Sequence, residues 1–229
     1  MYLILSPLDW FALIWFACSW AGYIYYVSYT NDKKPNLSNT LTNMREQWIR
    51  AMLTREARIT DITSLAALQR TTTFFASTSM FIIAGLLAVL GSADKAIQLV
   101  NALPFIVEHT KAAWEIKILL LALIYVYAFF KFSWSVRQYN FSLVMFGAAP
   151  SAGDKAAVED YVQKVSTLLT AANKSFSHGL RSFTFSMAAL AWLIQPYLFI
   201  VASSWIVAVV YRREFHSQTL IAMQSLPQK

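Results

Sequence analysis

Residues 72–90 read TTFFASTSMFIIAGLLAVL, a run with no charge and no proline, entered directly from a basic segment that begins at Met44. About 20 apolar residues suffice to cross the hydrocarbon core of a bilayer. No water is available there to satisfy backbone amides, so an isolated crossing run of this kind has to be a helix. Leu8–Tyr29 and Ile116–Trp134 have the same character, as does Phe183–Tyr211 apart from an interruption at Gln195-Pro196. The expected fold class is an all-α integral membrane protein. We expect one domain over 1–229, with four transmembrane helices in a bundle at about 8–29, 72–90, 116–134 and 183–211. Amphipathic helices are expected in two long cytoplasmic loops, 30–71 and 135–182.

Composition agrees with that reading. The 229 residues are 57% hydrophobic and only 14% charged, against about 25% charged in soluble domains. The net charge is +7, which in a soluble chain would suggest nucleic acid. Here the cations cluster in loops beside apolar runs, so they read as a topology signal and as contacts to anionic headgroups of the lipid bilayer; no nucleic-acid partner is expected. The single cysteine, Cys18, lies within the first apolar run and can form no intramolecular disulfide. The N-terminus lacks a basic region and a small-residue cleavage site, so the first run reads as retained.

The connections carry their own patterns. Asp9 can cap the first helix, and Lys33-Lys34-Pro35 breaks the chain after it. Leu41, Met44, Trp48 and Met52 then recur at helical spacing, with Arg45, Arg50, Arg55 and Arg58 at other positions and Glu46 one turn before Arg50. This predicts a helix lying on the membrane surface, Trp48 at the headgroup boundary and the four arginines facing lipid phosphates. Thr60 or Asp61 can cap a second helix that continues into the 72–90 span. Within that span Ala76, Ser77, Ala84, Gly85 and Ala88 are small, and small residues let a neighbouring helix approach closely. A short interfacial helix is expected between Ser92 and Trp114, a break at Pro150–Asp154, and an amphipathic helix from Asp154 to Ser186.

Orientation follows from the cations. With the N-terminus outside, Lys33, Lys34, Arg45, Arg50, Arg55, Arg58, Arg70, Arg137, Lys155, Lys164, Lys174 and Arg181 fall inside, against Lys95, Lys111, Arg212, Arg213 and Lys229 outside. That imbalance predicts both chain ends outside and both long loops cytoplasmic. Arg212-Arg213 is the anomaly. A re-entrant turn at Pro196 would return the tail to the cytoplasm, whereas a kinked single crossing is the simpler expectation.

Polar groups near the inner ends of spans two and three are the candidate site. Gln69, Arg70, Thr73 and Ser77, with Lys131, Arg137, Asn140 and the helix-breaking Gln195, could line a water-filled cavity. Against that, hydroxyls in apolar helices often bond back to their own backbone, and a lysine near a helix end can reach the interface with its long side chain. No histidine pair has metal-ligand spacing, and no catalytic triad, P-loop, dinucleotide fingerprint or zinc-protease motif occurs. No cofactor and no enzymatic activity are expected.

The phrases MREQWIRAMLTRE, ALQRTTTFFASTSMFIIAGLLAVLG, FFKFSWSVRQYN, HGLRSFTFSMAALAWLIQP and VYRREF together resemble the bacterial and plant membrane-protein family known as domain of unknown function 599. The resemblance runs from Asp9 to about Phe215 and implies a multi-span helical protein, in bacteria one of the inner membrane. In that family a histidine commonly follows the residue at Asn140; here it is Phe141. The resemblance implies no activity, cofactor or catalytic residue. The expected function is therefore non-catalytic and exerted through assembly, as a homo-oligomer or an accessory subunit of a membrane complex, with a channel or small-solute transporter as the alternative.

Overall fold

The computed structural model describes residues 5–30, 37–101, 110–150 and 155–224. The predicted breaks at Lys33–Pro35 and around Gly153, with Lys229, lie outside the described residues. Described residues in regular structure are all helical: α1 (Pro7–Thr30), α2 (Leu37–Leu53), α3 (Ile59–Gly91), α4 (Ala93–Asn101), α5 (Lys111–Gly147), α6 (Lys155–Ala191), α7 (Pro196–Phe215) and α8 (Gln218–Gln224). Three of them, α1 over Pro7–Val27, α3 and α5, are long and apolar enough to cross a membrane. They contain the first three predicted spans.

α5 lies between α3 and α6 and runs antiparallel to both. Along α5, Tyr125 meets Ser186, Ser135 meets Ala172, and the carbonyl of Met145 accepts from Tyr161. At mid-length Phe75 of α3 stacks on Phe132 of α5, and both touch Phe176 and Phe183 of α6. This aromatic cluster works because Gly179 has no side chain: a Cβ there would sit 2.5 Å from the Phe132 ring. α1 packs beside α6 and α7, with Phe16 against Phe185 and Phe199.

The predicted fourth span, 183–211, is two helices. α6 ends in a tight turn at Trp192–Ile194, Gln195 is extended (φ −154°, ψ 144°), and Pro196 opens α7. A residue before proline is driven out of helical geometry, and proline is well placed at the first position of a new helix. The new helix then reverses. Phe199 stacks on Trp192 at one end of the bundle, while Glu214 reaches Arg181 and Phe215 reaches Tyr26 toward the other. α7 therefore runs parallel to α1 and antiparallel to α6. The start of α1 and the end of α7 stand at opposite ends of the bundle. Apolar residues on both flanks of the proline hid this reversal.

α3, α5 and α6 are 33, 37 and 37 residues long, hence roughly 50–55 Å at 1.5 Å per residue. That exceeds a hydrocarbon core of about 30 Å by some 20 Å. The excess lies beyond the end of α1, where the three helices continue as an extension whose surface carries polar residues together with exposed Ile59, Ile62, Leu68, Phe141 and Val144. α2 packs on this extension. Its Ile49, Met52 and Leu53 are buried with Leu65, Tyr139, Phe146, Val162 and Val165.

Candidate functional site

The predicted surface residues are engaged with protein. Arg50 makes a two-pronged ion pair with Glu159 of α6 at 2.7 and 2.8 Å and also binds Glu46. Hydrogen bonding from Arg50 holds the Glu159 carboxyl below the usual carboxylate range. Trp48 donates its indole N–H to Asp61 at 2.7 Å and sets its ring edge-on to Phe146. Arg55 pairs with the same buried Asp61. Arg45 is half-buried, and that desolvation lowers its affinity for a proton; Arg58 is half-buried near Tyr161. The helix-spaced apolar residues were legible, but their partner is another part of the chain.

The predicted polar cavity is not assembled. Arg70, Thr73 and Ser77 are exposed on the outer side of α3 and Gln69 is half-buried there. The Thr73 hydroxyl donates to the Gln69 carbonyl, and Thr71, Thr72, Thr78 and Ser79 likewise bond one turn back. Lys131 lies over the Tyr127 ring, Arg137 sits over Trp134 and Phe141, and Asn140 is exposed. Gln195 belongs to the α6–α7 turn, whose Trp192 meets Lys117. From there Arg137 is twenty residues along α5, about 30 Å away.

Two polar constellations stand elsewhere. The first is a buried cluster at the start of α1. Ser6 and Asp9 bind each other reciprocally, as in a capping box. The free side of Asp9 accepts the Trp192 indole N–H at 2.7 Å and lies 3.5 Å from the Lys117 ammonium. Lys117 is 2% exposed; it donates to the Trp192 carbonyl at 3.1 Å and faces the Trp192 ring. One lysine thus joins α1, α5 and the α6–α7 turn, and it satisfies a carbonyl near the break. A charge at such depth is costly unless paired, and this one is.

The second is a cavity of ≈ 580 Å³ toward the other end of the bundle. α1 contributes Ile24 and Val27, and α2 contributes Leu37, Asn39, Leu41 and Thr42. α6 contributes Thr170, Asn173, Lys174, Ser177, His178 and Arg181, and α7 contributes Glu214. Arg181 pairs with Glu214 at 3.5 Å and faces the Tyr23 ring at 5.5 Å. None of the predicted cavity residues lines it. The signal was the spacing of Thr170, Asn173, Lys174, Ser177 and Arg181, which places polar groups on one face of α6; the sequence cannot say that α1, α2 and α7 close over that face. Among the described residues no three His, Cys, Asp or Glu side chains converge to hold a metal ion.

The family model described as "Protein of unknown function, DUF599" matches residues 11–219. No curated protein and no solved structure matches the chain.

Proposed function

Because the chain belongs to the DUF599 family, whose description attaches no activity, we propose from its geometry that it is a non-catalytic membrane protein acting through assembly, with itself or as an accessory subunit. The observation that carries this reading is the outer face of α3. Ala76 packs inward on the Phe132 cluster, but Ser77, Ala84, Gly85 and Ala88 are exposed, and nothing lies within 4 Å of a Cβ built on Gly85. Small residues on an uncovered face are where a second transmembrane helix can approach closely.

The bilayer placement has independent support. Phe81, Leu123, Phe130 and Val201 are exposed apolar side chains, bounded by exposed Trp10 and Tyr197 at one end and Tyr25, Tyr29 and Trp134 at the other. Aromatic side chains concentrate at the two interfaces of a membrane. At that depth the last turns of α6 and α7 up to Tyr211 also lie in the bilayer, as a hairpin beside α1, with Arg212 and Arg213 beyond it. Of the described lysines and arginines, only Lys95, Lys111 and Lys117 lie toward the Asp9 end. The extension and the C-terminus then face the cytoplasm of a bacterial inner membrane. Arg212-Arg213 ceases to be an anomaly. The transporter alternative depended on a convergence of Lys131, Asn140, Gln195 and the α3 hydroxyls, and it is not carried forward.

Native mass spectrometry of the full chain released from nanodiscs tests the reading. We expect a dimer or a co-purifying membrane subunit, reduced severalfold by Gly85→Leu. A strict monomer without a partner would overturn it.

A further inference from the structure

The cavity between α1, α2, α6 and α7 has walls of two kinds. Ile24 and Val27 of α1, with Leu37 and Leu41 of α2, make one side apolar, and one face of α6 makes the other polar. The polar wall carries excess positive charge. Lys174 and Arg181 line it, and both act electrostatically on His178, as does Lys131. The one carboxylate among the described lining residues, Glu214, is engaged by Arg181. Lys174 has no acidic partner among the described lining residues.

Uncharged donors stand beside these cations. Thr167, Ser175, Ser182 and Thr184 bond to carbonyls one turn back along α6. Thr170 does not: its hydroxyl is buried and has no partner among the described residues. Thr170, Asn173 and Ser177 share a face of the helix with Lys174 and Arg181. Surplus cations with hydroxyl and amide donors suit an oxyanion, which accepts several charge-assisted hydrogen bonds at once. An adjoining apolar wall suits hydrocarbon attached to that anion. The volume of ≈ 580 Å³ exceeds what a bare phosphate fills and lies within the range of small-molecule sites. The cavity also opens near the end of α1, at the depth of the exposed Tyr25 and Tyr29.

We infer that this cavity binds a phosphate ester, Lys174 and Arg181 holding the phosphate oxygens and the α1–α2 wall receiving the carbons esterified to it. The site is complete within one chain and stands independently of the assembly reading. The shared chemistry is a phosphate ester, whose source is either a lipid headgroup or a soluble compound.

Full-length protein in phosphatidylcholine nanodiscs distinguishes the sources. Thermal unfolding is compared without addition, with phosphatidylglycerol in the disc, and with soluble glycerol 3-phosphate. Lys174→Gln removes a side chain exposed at the cavity rim, so folding is retained; Lys164→Gln, on the same helix but outside the cavity, is the control. Stabilisation by phosphatidylglycerol that Lys174→Gln weakens about tenfold in apparent Kd, roughly one charge-assisted bond, and that Lys164→Gln leaves intact, establishes a lipid site. The same pattern with glycerol 3-phosphate alone establishes a soluble phosphate ester. No stabilisation by either, or equal loss in both variants, overturns the inference.

Discussion

At the scale of the residue, the decisive groups are the ones whose partners are far away in the chain. Lys117 is a single cation at the head of an apolar run, and nothing local marks Asp9, more than a hundred residues earlier, as its counterion. Lys117→Met would leave Asp9 to its Ser6 and Trp192 donors and would strip the Trp192 carbonyl of its donor. Removing one member of a buried pair typically costs about 3–5 kcal/mol; we expect the lower end of that range, since Asp9 keeps other donors. Replacing both charges, as Asp9→Leu with Lys117→Met, should not recover the loss, because the Trp192 carbonyl stays without its donor and the Trp192 indole N–H and Ser6 also lose their acceptor. Thermal unfolding of the three variants in detergent checks this. The opposite lesson comes from Gln69, Thr73 and Ser77. Their polarity was plain in the sequence, but residue type does not give direction, and the side chains point outward or back to their own helix.

At the scale of the element, apolar runs located α1, α3 and α5 because helix formation in a bilayer is dictated by the backbone alone. The amphipathic α2 was legible as a helix, but its apolar face fits a protein core as well as a lipid surface, and periodicity cannot choose. Docking gives α2 a pH dependence. The Glu159 carboxyl titrates below its ordinary value of 4.5 through its bond to Arg50. Its stabilising contribution is therefore full above that value and is lost as the pH falls through the lower folded-state value. Amide exchange across Leu37–Leu53, corrected for intrinsic rates, should quicken modestly on acidification below about pH 4. Glu159→Gln should show part of that faster exchange already at neutral pH. An acid response of the same size in the variant would assign the effect to another carboxylate.

At the scale of the whole molecule, Pro196 marks a break, and the sequence cannot show that the chain turns back there. The reversal shows in pairs such as Arg181–Glu214 and Tyr26–Phe215. It predicts that tags placed at the two ends of this chain are protected on opposite sides of sealed vesicles. Protease treatment of right-side-out and inverted vesicles should remove one tag each, the C-terminal one from inverted vesicles. Protection of both tags in the same preparation would restore a single fourth crossing.

α3, α5 and α6 pass from their apolar stretches into the extension without a break. Each is one rod, so the buried and projecting parts must lean together. A change in lean of about 10° carries a point some 25 Å beyond the pivot sideways by about 4 Å, the length of helix here being set by the 1.5 Å rise. Leaning is how a helix accommodates a thinner bilayer. In the bilayer placement proposed above, such a lean would carry the α2-capped tip sideways with it.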